Sequence, residues 1–115
     1  MKKTILIVDD SVVRNLLRDT LEVDYHVLEA STLQDVIDQI TNPIDLALIE
    51  FILPDSYGSE VFNTIRKAKP KMPVIMTGHI EKPALRALGK VDYIKKPFRL
   101  VHLRQRVSET LKGNK

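Results

Sequence analysis

Short apolar runs alternate with amphipathic segments along the whole chain. Five runs have the length and composition of buried strands, at residues 5–8, about 26–30, 46–49, 74–76 and about 92–94. Apolar residues elsewhere recur every three or four positions, which predicts helices within 13–21, 33–40, 61–68, 83–88 and 100–111. Repeated alternation of strand and helix is typical of a parallel sheet with helices on both faces and right-handed crossovers. The pattern therefore predicts an α/β fold with one doubly wound, five-stranded parallel sheet.

Polar and glycine residues mark where several helices should begin. Ser11 precedes the first helical segment, and Ser31 or Thr32 precedes the second, and these are residue types that cap helix N-termini. Tyr57 and Gly58 fit a turn into the third helix. We expect Gly58 to supply a backbone conformation that a side chain would disfavour.

The length of 115 residues fits one compact domain covering residues 1–115. No apolar run approaches the roughly 18 residues that a membrane-spanning helix needs, so we expect a cytoplasmic protein without a membrane segment. The chain has no cysteine, which excludes disulfides, thiolate catalysis and zinc-thiolate sites.

Charge is distributed unevenly along the sequence. Residues 1–64 carry 4 Lys or Arg against 12 Asp or Glu, whereas residues 65–115 carry 14 against 3. The simpler interpretation is that both sets coat solvated helix faces. The alternative is a basic docking surface for an acidic partner protein. Nucleic acid is a weaker candidate, because the basic residues are spread over several elements without interleaved aromatics.

Polar side chains with related chemistry stand at the ends of the predicted strands. They are Asp9 and Asp10 after the first strand, Glu50 after the third, Thr77 after the fourth and Lys96 after the fifth. Parallel strands share one carboxyl edge, where open α/β sheets bind their ligands. Carboxylate oxygens suit Mg²⁺, while a hydroxyl and an ammonium group suit phosphate oxygens. The edge is therefore predicted to hold a hard cation beside an anion, although Asp10 could equally cap a helix.

Four separate blocks, in order and at consistent spacing, resemble the receiver domains of two-component response regulators. They are ILIVDDS at 5–11, DLALIEFILPDSYG at 45–58, PVIMTGH at 73–79 and DYIKKPF at 92–98. The resemblance covers nearly the whole chain. It implies the flavodoxin-like strand order 2-1-3-4-5.

The resemblance also implies roles for individual residues. Asp9 and Asp10 match the acid pair that holds Mg²⁺. Glu50 and Ile52 match the two remaining metal positions, Ile52 through its backbone carbonyl. Thr77 matches the hydroxyl that senses the phosphoryl group, Lys96 the lysine that pairs with it, and Tyr93 the aromatic switch residue that moves inward on activation. A cis bond between Lys96 and Pro97 is also implied.

Glu50 departs from the family pattern, because it occupies the place of the aspartate that accepts the phosphoryl group. Its carboxylate extends roughly 1.5 Å further than that of aspartate, and misplacement by about 1 Å can slow such a transfer roughly 100-fold. A glutamate can instead reach Lys96 and Thr77 as a phosphoryl oxygen would. We therefore expect Glu50, Thr77 and Lys96 to form a hydrogen-bonded and ionic cluster that fixes the Tyr93 region in one conformation.

A second departure lies between residues 78 and 90, where the predicted helix is about a turn shorter than is usual for the family. A smaller irregularity is the stretch from Asp10 to Arg14, which is one residue shorter than in common members and could rotate the first helix.

We therefore expect a non-enzymatic receiver domain that switches a signalling partner, either a histidine kinase or an output protein, with weak or absent phosphorylation. The alternative is a conventional receiver that still accepts a phosphoryl group with Mg²⁺, on Glu50 slowly or on Asp10. A third interpretation is a small Mg²⁺-dependent phosphatase-like enzyme, although 115 residues leave no segment to enclose a substrate. The sequence leaves the need for Mg²⁺ and the oligomeric state open.

Overall fold

The computed structural model describes residues 2–89 and 91–113. Five strands alternate with five helices along the chain. The strands are β1 (Thr4–Val8), β2 (His26–Ala30), β3 (Leu46–Glu50), β4 (Val74–Gly78) and β5 (Asp92–Lys95). The helices are α1 (Ser11–Leu21), α2 (Leu33–Gln39), α3 (Gly58–Ala68), α4 (Lys82–Ala87) and α5 (Leu100–Gly113). None of the helices within the described ranges is both long and apolar enough to cross a membrane.

All five strands lie parallel in one sheet of order β2-β1-β3-β4-β5. This confirms the predicted flavodoxin-like α/β fold. The register aligns Val8 with Ile49, Glu50 with Thr77, and Gly78 with Lys95. The carboxyl ends of β1, β3, β4 and β5 therefore lie side by side at one edge.

The apolar core divides into two layers, one on each face of the sheet. Successive strand residues point to opposite faces, so Leu6 and Val8 of β1 pack with α2 and α3 while Ile5 and Ile7 pack with α1 and α5. All four of these β1 side chains have no exposed surface. A strand buried on both faces explains why the sequence shows continuous apolar runs instead of alternation.

Strand β4 extends further than its apolar run. The prediction placed Thr77 after a strand ending at residue 76, whereas β4 continues through Thr77 to Gly78. These two residues remain in the ladder because they pair with Glu50 of β3 and with Lys95 of β5. Pairing on both sides thus continues the strand where hydrophobicity ends.

The N-terminus of α1 is capped by Asp10, and the prediction of Ser11 as the cap was wrong. Asp10 Oδ1 accepts hydrogen bonds from the backbone N–H groups of Val12 and Val13, each at 3.0 Å. Ser11 is already the first residue of the helix. The predicted cap of α2 is Thr32, whose hydroxyl oxygen accepts the Asp35 N–H at 3.1 Å.

Position 58 requires glycine because a side chain would not fit there. The prediction that Gly58 supplies an unusual backbone conformation was wrong. Positive φ angles occur at Gly78 and Gly89 among the described glycines, and Gly58 has none. A Cβ atom at Gly58 would instead lie under 3.0 Å from the Glu50 carbonyl oxygen and 2.8 Å from Phe51 Cα. The start of α3 therefore packs directly on the backbone at the end of β3.

The capping role of Asp10 can be measured by substitution. We expect Asp10→Ala to lower the free energy of unfolding by about 1 kcal/mol, because two helix N–H groups lose their acceptor. Ser11→Ala is the matched control and should change it by less than about 0.5 kcal/mol. Denaturant unfolding of both variants tests the assignment, and equal losses would contradict it.

Candidate functional site

The Lys96 ammonium group lies between the carboxylates of Asp9 and Glu50 at the carboxyl edge of the sheet. Its Nζ is 2.5 Å from Glu50 Oε1 and 3.1 Å from Asp9 Oδ2. The exposed fractions of these side chains are 21% for Lys96, 12% for Glu50 and 2% for Asp9. The two ion pairs are therefore shielded from water, where charge interactions are stronger than at the surface.

Backbone groups orient the two carboxylates. The Ile52 N–H donates to Glu50 Oε2 at 3.2 Å, so the second oxygen of Glu50 is turned toward the loop that follows β3. The Asp10 N–H donates to Asp9 Oδ1 at 2.7 Å. Each acid thus has a backbone donor in addition to Lys96.

Burial and ion pairing have opposite effects on the pKa values of Asp9 and Lys96. Burial raises the pKa of Asp9 above its ordinary value of 3.8, and the nearby Lys96 charge only partly offsets that effect. For Lys96, burial lowers the pKa, but hydrogen bonds and charges from Glu50 and Asp9 outweigh it and leave the pKa raised. The Lys96 ammonium group is therefore stabilised in its charged form. Its charge in turn favours the ionised form of the buried Asp9 carboxyl group.

Thr77 lies at the site but does not join the ion-paired cluster. It is buried, with 1% of its surface exposed, and it pairs with Glu50 across the ladder. Within residues 2–89 and 91–113, no hydrogen bond joins its hydroxyl group to Glu50 or Lys96. Asp9 therefore occupies the place in the cluster that the sequence assigned to Thr77.

The four groups predicted to hold Mg²⁺ do not surround one cation. The Asp10 carboxylate caps α1, Ile52 approaches Glu50 through its N–H, and the Lys96 ammonium lies between Asp9 and Glu50. Across the described residues, no three His, Cys, Asp or Glu side chains are grouped as metal ligands. In this arrangement the residues do not fit a magnesium ion.

Tyr93 is attached to the backbone that follows Thr77. Its hydroxyl group donates to the Gly78 carbonyl oxygen at 2.5 Å and accepts the Ile80 N–H at 3.1 Å. The ring is partly buried against the apolar layer beneath α3 and α4. The Tyr93 side chain, which matches the aromatic switch residue of the family, therefore points toward the end of the sheet that carries the candidate site. The expected cis bond between Lys96 and Pro97 is also present.

Sequence reasoning missed Gly78, which lies against the Glu50 carboxylate. The available signal was a glycine inside a strand, which often marks close approach by another group. It was not recognised because the predicted strand ended two residues earlier.

Comparison with known proteins assigns the family. A model of the response regulator receiver domain matches residues 5–108. This chain belongs to that family. A solved CheY-like receiver domain protein from Methanospirillum hungatei is 30% identical, and the alignment covers 99% of this chain and 97% of that one with a TM-score of 0.91. The predicted resemblance is therefore confirmed.

The curated relatives are longer proteins. The KDP operon transcriptional regulatory protein KdpE of Escherichia coli is 30% identical over 97% of this chain and 52% of its own length. A cyclic di-GMP phosphodiesterase of Thermotoga maritima is 33% identical over 96% of this chain and 31% of its own length. The receiver domain thus spans about half or less of the length of these relatives.

The two ion pairs predict a pH-dependent cost of removing Lys96. We expect Lys96→Met to lower the free energy of unfolding by about 3 kcal/mol at pH 7, because the buried Asp9 carboxylate and the partly buried Glu50 carboxylate lose their cation. The pKa of Asp9 is already raised and rises further without Lys96. The stability deficit is therefore largest above that raised pKa and shrinks as the pH falls toward 3.8.

The measurement is chemical denaturation of wild type and variant at several pH values. Lys95→Met is the matched control, since Lys95 is the exposed neighbour and should cost less than about 0.5 kcal/mol. A Lys96→Met deficit no larger than that of Lys95→Met, or one that grows as the pH falls, would contradict the assignment.

Proposed function

We propose that this receiver domain signals by binding a partner protein without needing a phosphoryl group. The observation that carries the proposal is the 2.5 Å contact between Glu50 Oε1 and Lys96 Nζ. Glu50 stands where the family places its phosphoaccepting aspartate, and its longer side chain already reaches the lysine that would pair with a phosphoryl oxygen. The contact therefore follows from the presence of glutamate, with its longer side chain, at position 50.

The charge at the site supports a partial mimic of the activated state. A phosphorylated acceptor would carry about −2, whereas the Glu50 carboxylate carries about −1 permanently. Glu50 also accepts the Ile52 N–H, so both oxygens have donors. Tyr93 is held toward the same edge by Gly78 and Ile80. We infer that the cluster maintains one conformation of the Tyr93 region for a partner to recognise.

The same geometry argues against efficient phosphorylation of Glu50. A carboxylate oxygen must approach the phosphorus atom in line, and displacement by about 1 Å can cost roughly 100-fold in rate. The carboxylate of Glu50 ends roughly one carbon–carbon bond beyond the family position, and one oxygen is committed to Lys96. Family members generally use Mg²⁺ for this transfer, and the described residues do not form its site here.

The remaining parts of the proposal concern the whole chain. We propose that residues 1–115 act as one non-enzymatic receiver unit in the cytoplasm and that the partner is a histidine kinase, an output domain or another signalling protein. Direct nucleic-acid binding is disfavoured by the spread of basic residues over several elements. The activities in the names of longer relatives are not assigned to this chain, since the match covers only part of each.

The competing function is a conventional receiver that accepts a phosphoryl group. Family membership and the contact between Lys96 and two acids favour it. In that case a carboxylate oxygen of Glu50 or Asp10 would attack phosphorus, and the bond from phosphorus to the donor would break. Asp10 is exposed, but its Oδ1 already accepts two helix N–H groups.

Intact mass spectrometry after incubation with acetyl phosphate and Mg²⁺ separates the two functions. We expect no labile gain of one phosphoryl group in the wild-type chain, because Glu50 is held by Lys96 beyond the productive position. A conventional receiver domain treated in parallel confirms that the donor is active.

Two variants locate any gain that does occur. A gain that disappears in Glu50→Gln would show transfer to Glu50, and one that disappears in Asp10→Asn would show transfer to Asp10. Asparagine retains the helix cap, so the second variant tests the acid without unfolding α1. Either result would overturn phosphorylation-independent signalling.

A further inference from the structure

Gly78 ends β4 and lies against the Glu50 carboxyl group. A Cβ atom built on Gly78 would lie under 3.0 Å from Oε2 of Glu50, 3.1 Å from its Cδ and 3.2 Å from its Oε1. The three nearest atoms thus belong to one carboxyl group. Real Cβ atoms essentially never show contacts under 3.0 Å, so a side chain at position 78 would displace the carboxylate.

Gly89 provides an internal comparison for the conformational part of this effect. Both glycines have positive φ angles, 115° at Gly78 and 82° at Gly89, where an L side chain is strained. A Cβ atom at Gly89, however, would meet nothing within 4 Å. Gly89 is therefore constrained by conformation alone, whereas Gly78 is constrained by conformation and by Glu50.

The backbone of Gly78 also holds two of the three predicted switch residues, Tyr93 and Lys96, the third being Thr77. Its carbonyl oxygen accepts the Tyr93 hydroxyl at 2.5 Å and the Lys96 N–H at 3.3 Å. One residue thus leaves the space that the Glu50 carboxyl group occupies and holds Tyr93 and Lys96 through its carbonyl group. A shift of this backbone would alter all three contacts.

We propose that Gly78 is the positioning residue that admits glutamate at position 50 and links its carboxylate to Tyr93. An aspartate would end roughly 1.5 Å short of the Glu50 carboxylate, so a Cβ at position 78 would be crowded less by aspartate than by glutamate. Glycine at position 78 therefore permits the longer acid at position 50, which can then reach Lys96. The link to signalling rests on the proposed function, whereas the steric pairing of positions 50 and 78 does not.

A double-mutant cycle tests the pairing. Gly78→Ala is made in the wild-type chain and in the Glu50→Asp variant, and the unfolding equilibrium constant is measured by denaturation. We expect Gly78→Ala to raise that constant in both backgrounds through backbone strain, and to raise it roughly tenfold more when Glu50 is present. The conservative change to aspartate would thus rescue much of the loss.

Gly89→Ala, made in the same two backgrounds, is the matched control. It should raise the unfolding constant by the same factor with either acid, because no side chain of position 50 lies near it. If Gly78→Ala likewise acts by the same factor in both backgrounds, Gly78 serves backbone conformation alone and the proposal is overturned.

A second measurement decides the matter if Gly78→Ala does not fold with either acid. In Glu50→Asp, which keeps Gly78, we expect the NMR resonances of the Gly78 backbone and of 3-fluorotyrosine at Tyr93 to shift while those of Gly89 stay. Tyr93→Phe assigns the fluorine signal. Unchanged Gly78 and Tyr93 resonances would overturn the link.

These readouts are independent of phosphorylation. A labile phosphoryl gain on Glu50 would remove the proposed function while leaving the coupling between positions 50 and 78 intact. Additive effects in the cycle would remove the positioning role of Gly78 while leaving phosphorylation-independent signalling intact.

Discussion

The carboxyl edge of the sheet depends on one cation shared by two acids. Lys96 follows β5, Asp9 follows β1 and Glu50 ends β3, so the two ion pairs tie together chain segments that are far apart in sequence. Burial alone would disfavour the charged forms of Asp9 and Lys96. Ion pairing outweighs that penalty for Lys96 and only partly offsets it for Asp9. The N–H groups of Ile52 and Asp10 each donate to one of the two carboxylates.

Hydrophobic periodicity predicted the fold well because both faces of the sheet are covered. The runs at 5–8 and 46–49 are fully buried, and they fall within one residue of β1 and β3. Periodicity failed at β4, where Thr77 and Gly78 are held in the ladder by neighbours on both sides. Hydrogen bonding between strands is set by tertiary pairing, so a local apolar pattern does not report where it stops.

The candidate site was predicted as a set of residues but not as a set of contacts. Strand ends indicated that Asp9, Glu50 and Lys96 would meet, because that follows from topology. Which carboxylate caps α1 depends on side-chain rotation, so Asp10 could not be assigned to a helix or a metal in advance. The steric roles of Gly58 and Gly78 depend on approaches between segments distant in sequence. In the sequence, the only sign of such a close approach is the glycine itself.

The ion pair between Glu50 and Lys96 has a consequence for timing. An acyl phosphate hydrolyses, so a conventional receiver returns to rest at a rate set by chemistry. A glutamate side chain is not lost by hydrolysis, so no chemical step sets a rate of return to rest. Under the proposed function, the strength of the signal would follow the number of copies in the cell, and its duration would follow their synthesis and proteolysis.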